Sequence, residues 1–202
     1  MPLEEYRKKR NFAETPEPVG QPSRHRHKHS FVVQKHDASR LHYDFRLEIG
    51  GVLVSWAVPK GPSMNPADKR LAIRTEDHPL EYAEFEGVIP EGHYGAGTVM
   101  VWDRGTYQPK DGRSPDLQLA RGKIDVVLEG KKLCGGFALV RTRTQGRQHE
   151  QWLLIKERDA CANPSWDIES PELDRSVLTG RTLKEIAEGQ PPKKFRIARA
   201  RV

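Results

Sequence analysis

The sequence predicts a mainly β protein: an antiparallel barrel or sandwich of about eight short strands, with an extended arm before it and one short helix near its end. Three observations carry this. From Phe31 to about Lys156, short apolar or alternating runs follow one another, each punctuated by Gly or Pro. Gly50-Gly51 separates two of these runs as a tight hairpin turn does. Only the stretch from Thr182 to Gly189 carries helix start and stop signals.

The arm covers residues 1–30. Its segment TPEPVGQPS has three prolines in nine residues and no apolar periodicity. The run RHRHKHS follows. Residues 31–190 hold the strands FVVQKH, LHYDFRLEI, GVLVSWAV, RLAIRTE, GTVMVWDRGTY, KIDVVLE, GFALVRTR and QWLLIKE. A second, less sharp turn falls at EGKK around Gly130. Thr179 or Thr182 suits the N-cap of the helix, Gly189 its C′ position, and Pro191-Pro192 stops it. Residues 191–202 form a basic tail or linker.

Composition narrows the class. Across 202 residues, 36% are hydrophobic and 31% charged, enough apolar material for one core. No run approaches the roughly 18 apolar residues of a membrane span. The start MPLEEYRKKRNF lacks the apolar region of an export signal, so the cytoplasm is the expected location. Two cysteines, Cys134 and Cys161, are too few for a disulfide scaffold and fit a reducing interior. The net charge is +6, with basic residues gathered at both ends. Such ends suit a polyanion, nucleic acid first among them, although solvated basic arms are common.

The chemistry concentrates in Gln34–Glu48. Alternation along the strand sends Leu41, Tyr43, Phe45 and Leu47 into the core and His42, Asp44 and Arg46 to the other face. A plain solvated face more often carries Lys, Glu and Thr. His36 lies six residues before His42 with turn residues between them, so it offers a third ligand. Two histidines and a carboxylate can hold a divalent transition metal with positions left open. Arg46 is in line to clamp a phosphate. A lone H-x-D on a strand is more often an ordinary surface pair, and His36 and Arg46 are what weigh against that here. In TEDHPLEY, His78 is a candidate ligand or acid/base and Tyr82 a phosphate contact. Lys60, on the rigid turn VPKGP, either binds phosphate or is merely exposed. The glycines of EGHYGAG most simply serve a tight turn. His25, His27, His29 and His149 read as ordinary residues, and Trp102, Trp152 and Trp166 as core or core edge.

The runs HDASRLHYDFRLE, SWAVPKGPS, EDHPLEYAEFEGVIPEGHYGAGTV and SVLTGRTLKEIAEG closely resemble the 3′-phosphoesterase domain of bacterial DNA ligase D and its stand-alone relatives. The resemblance runs from about Tyr6 to Gly189. It implies a small antiparallel β-barrel with an active-site groove on its surface. It implies a Mn²⁺-dependent enzyme that trims DNA 3′ ends for end joining, removing a terminal ribonucleoside and then the 3′-phosphate. It carries metal binding to His36, His42 and Asp44, and catalysis and phosphate contact to Arg46, His78 and Tyr82. Gln34, Lys60 and Arg70 are supporting positions. In the arm, Arg10 and Glu17 match the family while Asn11 stands where an Asp is usual, which bears on ribonucleoside removal more than on phosphate removal. The implied partners are primer-template 3′ ends and the ligase, polymerase and Ku components of end joining. Either a water or the adjacent 2′-OH would serve as nucleophile. There is no K-x-D-G adenylation motif, so the chain reads as a stand-alone phosphoesterase or a domain of a larger ligase. Two other readings of the same residues are an Fe(II) oxygenase built on His42, Asp44 and His78, and a non-catalytic module that binds DNA ends.

Overall fold

A computed structural model describes residues 3–20, 29–143 and 149–193 of the chain. Nine strands follow in order: β1 (Ser30–Asp37), β2 (Leu41–Ile49), β3 (Val52–Val58), β4 (Lys69–Arg74), β5 (Gly87–Ile89), β6 (Gly97–Pro109), β7 (Lys123–Glu129), β8 (Cys134–Arg141) and β9 (Gln151–Lys156). All pairings are antiparallel. The order β1-β2-β3-β4-β9-β8-β7-β6 closes through a β1–β6 pairing, and β5 adds to the end of β6. The predicted barrel is therefore closed, with one more strand than the sequence suggested. Closure leaves none of these eight strands as a free edge.

Each expected strand segment forms. Both glycines of the β2–β3 turn have positive φ, 60° and 82°, as a two-residue hairpin loop of this hand requires. The helix at the end, α3 (Leu183–Ala187), starts at Thr182 with a full capping box to Glu185, and Gly189 follows at φ 67°. Two helices were not foreseen: α1 (Glu4–Lys8) in the arm and α2 (Pro115–Arg121) between β6 and β7. They have five and seven residues, under two turns each, too short for a clear 3.6-residue apolar stripe. Among the described residues no helix is long and apolar enough to cross a membrane.

One face of every long strand fills the barrel. Phe45, Trp56, Trp102, Phe137, Trp152 and Leu154 are all at most 1% exposed there. Leu41, expected among them, is 39% exposed because it opens β2 beside the turn, beyond the end of the core. A second apolar cluster lies on the other side of β1, β3 and β6. It joins Val32, Leu53 and Val101 to Tyr6 of α1, to Tyr82 of the 3-10 turn Leu80–Glu84, and to Phe85. Residues 3–20 thus lie against the barrel, with Tyr6, Thr15 and Glu17 buried, and not as a solvated arm. The basic run at residues 24–28 and the tail from residue 194 lie outside the described residues.

Cys134 and Cys161 are joined in a disulfide, against the expectation of two reduced thiols. Their separation of 27 residues gave no pairing signal, yet β9 brings the chain back beside β8.

Candidate metal centre

The site is a product of strand register. The β1–β2 hairpin sets His36 opposite His42 and Gln34 opposite Asp44. The β2–β3 hairpin sets Asp44 opposite Ala57 and Arg46 opposite Ser55. Alternate residues share a face, so Gln34, His36, His42, Asp44, Arg46 and Ser55 form one polar lattice outside the barrel core. The second apolar cluster covers part of it. His36, Asp44 and Arg46 are buried and His42 is half-buried. These residues line a cavity of about 240 Å³ that also touches His78 and Tyr94. A larger cavity of about 820 Å³, beside the disulfide, holds none of the predicted site residues.

His36, His42 and Asp44 each offer one ligand atom, all within 4.8 Å of one another. The hydrogen bonds around them fix which atoms these are. His36 Nε2 is 2.9 Å from the Gly95 carbonyl, which can only accept, so Nε2 carries the proton. That leaves the Nδ1 lone pair, 3.6 Å from Asp44 Oδ2. His42 does the reverse: Nδ1 donates to the Arg40 carbonyl at 2.9 Å, and Nε2 is left 3.7 Å from the same carboxylate oxygen. Backbone carbonyls orienting the far nitrogens are the outer contacts that ligating histidines use. Burial pushes the Asp44 carboxyl up, but Arg46 and the two histidines outweigh it and hold the group well below the usual carboxylate range. A permanently ionised carboxylate and two free imidazole nitrogens fit a divalent transition metal.

Arg46 is tied into this lattice. Its Nε donates to Gln34 Oε1 at 2.8 Å, Nη1 to Ser55 Oγ at 2.8 Å, and Nη2 lies 3.2 Å from Asp44. Gln34 in turn donates to the carbonyls of Tyr82 and Phe85, which ties β1 to the 3-10 turn. His78 is held by paired backbone hydrogen bonds to Leu53. Its ring lies between two guanidiniums, with Nδ1 2.9 Å from Arg46 Nη1 and Nε2 3.3 Å from Arg10 Nη2. Burial and these two cations push the imidazole well below its ordinary value, so the ring is neutral. Among the described residues, the group placed to hold a metal is His36, His42 and Asp44; His78 is not in it, and the oxygenase triad is not assembled.

The arm supplies the far wall. Arg10 Nε donates to Glu17 Oε1 at 2.8 Å and Nη1 to Glu76 Oε1 at 3.1 Å. Tyr82, fully buried, donates its hydroxyl to Glu17 Oε1 at 3.0 Å. Glu17 Oε2 is buried with no partner. Asn11 is exposed, and its Oδ1 accepts from the backbone N–H of Ala13, so it shapes a turn. Lys60 and Arg70 lie elsewhere. With Asp68 they line a separate cavity of about 390 Å³, and Arg70 pairs with Asp68 at 2.9 Å. The sequence reading missed Glu76, Ser55 and Tyr6. Glu76 and His78 alternate within a motif already singled out, and reflection about Gly50-Gly51 brings Ser55 to Arg46. Tyr6 had no signal, because its contacts come from residues far along the chain.

A family model described as DNA Ligase D 3′-phosphoesterase domain matches residues 34–141. The multifunctional non-homologous end joining protein LigD of Pseudomonas aeruginosa is 53% identical over 189 residues, covering 90% of this chain and 22% of that protein. The protein of the same description from Mycolicibacterium smegmatis is 44% identical over 162 residues, 78% of this chain and 21% of its own length. The multifunctional non-homologous end joining DNA repair protein LigD of Mycobacterium tuberculosis is 49% identical over 142 residues, 69% of this chain and 18% of its own. The chain therefore spans about a fifth of these relatives, and the match covers every residue of the metal-side lattice from Gln34 to His78. With that lattice and that match together, the chain belongs to the DNA ligase D 3′-phosphoesterase domain family.

Proposed function

We propose that this chain is a metal-dependent phosphoesterase that removes 3′-terminal ribonucleosides and 3′-phosphates, leaving a 3′-OH for end joining, with Mn²⁺ as its metal. The observation that carries the reading is the lattice of His36, His42 and Asp44 with a guanidinium 3.2 Å from the carboxylate. A metal held there supplies positive charge to a phosphate oxygen and makes a nearby water or hydroxyl a better nucleophile.

The chain's own groups supply the rest. Arg46 has five N–H donors, of which Gln34, Ser55 and Asp44 take three, so one on Nη2 remains for a phosphate oxygen. Its planar fork is held from three sides, so little freedom is lost on binding. His78 starts neutral, and a neutral imidazole is a weak acid for a leaving alkoxide. In this reading its Nδ1 donates to the Glu76 carbonyl at 2.9 Å, Nε2 is left as an acceptor toward Arg10, and the ring positions the two guanidiniums that meet the phosphate. Tyr82 stays protonated, since burial and then Glu17 push its hydroxyl well above the ordinary value, and it fixes Glu17. Glu17 is fully buried behind the cavity and holds Arg10, which does line it. Lys60 and Arg70 would hold phosphates of the strand leading into the site. The relatives' names place them in non-homologous end joining, so ligase and polymerase modules and Ku are the partners we expect.

A 5′-labelled primer-template ending in one 3′ ribonucleotide tests this, with Mn²⁺ and with EDTA. Metal-dependent conversion first to a 3′-phosphate and then to a 3′-OH is the expected result. No product from metal-replete protein would overturn the proposal in favour of end binding alone.

A further inference from the structure

Tyr94 is the only exposed Phe, Tyr or Trp among the described residues, at 50% of its surface, and it lines the cavity that holds His36, His42 and Asp44. Every other described aromatic side chain is buried or half-buried. A single exposed side chain is ordinary on a soluble surface; what sets this ring apart is that it lines the polar cavity itself.

Its surroundings are built. Gly95, the next residue, accepts the hydrogen bond that orients His36, so the backbone bearing Tyr94 is pinned to the metal triad at 2.9 Å. Gly97, at φ 141°, ends the segment where a Cβ would lie 2.2 Å from the Asp37 carbonyl; only glycine lets the loop close this tightly over the β1–β2 turn. Lys9 Nζ and the Arg10 guanidinium stand over the Tyr94 ring at 4.6 and 5.7 Å. A flat apolar face beside positive charge, next to a phosphate-sized polar cavity, matches one chemical unit: a nucleobase joined through its sugar to a phosphate. Base–aromatic stacking is tolerant of sequence, as an enzyme acting on any broken end requires.

We propose that Tyr94 is the platform on which the base of the 3′-terminal nucleotide stacks, which rests on the phosphoesterase reading above. The ring sets the reach of the terminal sugar into the cavity, and its hydroxyl, 3.4 Å from Glu76 and from Lys9, only steadies it.

The test is binding, measured by fluorescence anisotropy in EDTA so that no end is consumed. Two primer-templates carry a 3′-phosphate, one on an ordinary terminal nucleotide and one on an abasic residue. Tyr94→Leu should weaken binding of the first roughly tenfold, the size of a typical base–aromatic stack, and leave the second unchanged. Tyr94→Phe should bind both as the unmodified protein does. Equal weakening on both ends, no weakening on either, or a loss in Tyr94→Phe matching that in Tyr94→Leu would overturn the proposal. Turnover with Mn²⁺ is scored separately: its absence in the unmodified protein refutes the phosphoesterase reading, while the binding difference still decides the role of Tyr94.

Discussion

Arg46 touches Gln34, Ser55, Asp44 and His78, while Lys60 and Arg70 stand in a cavity of their own. Arg46→Ala should therefore cost about 10²–10³ in kcat/KM on a 3′-phosphate end, the size of losing one preorganised donor at a developing charge. Lys60→Ala and Arg70→Ala should cost about tenfold each, as contacts that position the strand and do not meet the reacting group. Equal losses across the three would show that the two cavities act as one. His42→Ala should weaken Mn²⁺ binding by more than the roughly 10–100-fold that losing an outer contact costs, as read by calorimetry, and abolish both activities. Full activity of that variant with Mn²⁺ would remove His42 from the ligand set. His78 gives a third readout. Burial, Arg46 and Arg10 depress it, so Arg10→Gln should raise its titration midpoint in histidine ring NMR. An unmoved midpoint would mean that Arg10 does not bear on the ring. At this scale much was legible. H-x5-H-x-D-x-R on two strands joined by a short turn dictates which side chains meet, because the pleat repeats every two residues. Glu17 and Arg10 were visible only through family resemblance, since they reach the site from the N-terminal arm, 65 and 66 residues from their partners Tyr82 and Glu76.

Among the elements, the arm departs furthest from its sequence reading. α1 has five residues and cannot persist alone, because helix nucleation is unfavourable and one turn recovers little. It forms because Tyr6 is fully buried in the second apolar cluster, and because Lys9 and Arg10 reach Glu76 at 3.1 Å. The proline-rich composition spoke for extension, and residues 15–20 carry neither helix nor strand; the helix lies before them, and no local pattern encodes the tertiary contacts that hold it. Burying a large apolar side chain contributes about 1.5–3 kcal/mol, so Tyr6 anchors the arm while the ion pairs set its pH dependence. Burial raises Glu76, but a hydrogen bond from its own backbone, Arg10 and Lys9 bring it below the ordinary carboxylate value. A carboxyl whose folded value lies below its unfolded one stabilises above the unfolded value and loses that contribution as pH falls through the folded one. Acidification should therefore release the arm before the barrel unfolds. Amide NMR signals of residues 4–10 should move to unfolded positions at a higher pH than those of β1–β3. In Glu76→Gln that early acid step should vanish. Simultaneous loss of arm and barrel signals would show that the arm is not a separate unit.

At the scale of the molecule, the barrel closes because β6 is long enough to serve two neighbours. Its first part pairs with β1 and β5, and its last residues pair with β7. The run GTVMVWDRGTY announced a strand but not this double use, which depends on Gly105, where a Cβ would lie 2.0 Å from the Glu129 carbonyl. The extra strand β5 has three residues, too few for any alternation to register. The cysteine pair belongs to the same scale, since it links β8 to the segment after β9, and that segment returns Trp166 and Ile168 to the barrel core. Closing a 27-residue loop in the unfolded chain removes conformational entropy worth about 3–4 kcal/mol by the polymer estimate. Against total stabilities of about 5–15 kcal/mol, that is a large share for one bond. Cys134→Ser together with Cys161→Ser should therefore lower the urea midpoint with little change in slope. Incubating the unmodified protein with a reductant should reproduce the shift, and the double variant should not respond to it. The metal lattice is on β1 and β2, joined to this region only through the barrel, so Mn²⁺ affinity should be unchanged by either treatment. A urea midpoint insensitive to both would mean that the packing of Trp166 and Ile168, and not the covalent link, holds the segment after β9 in place.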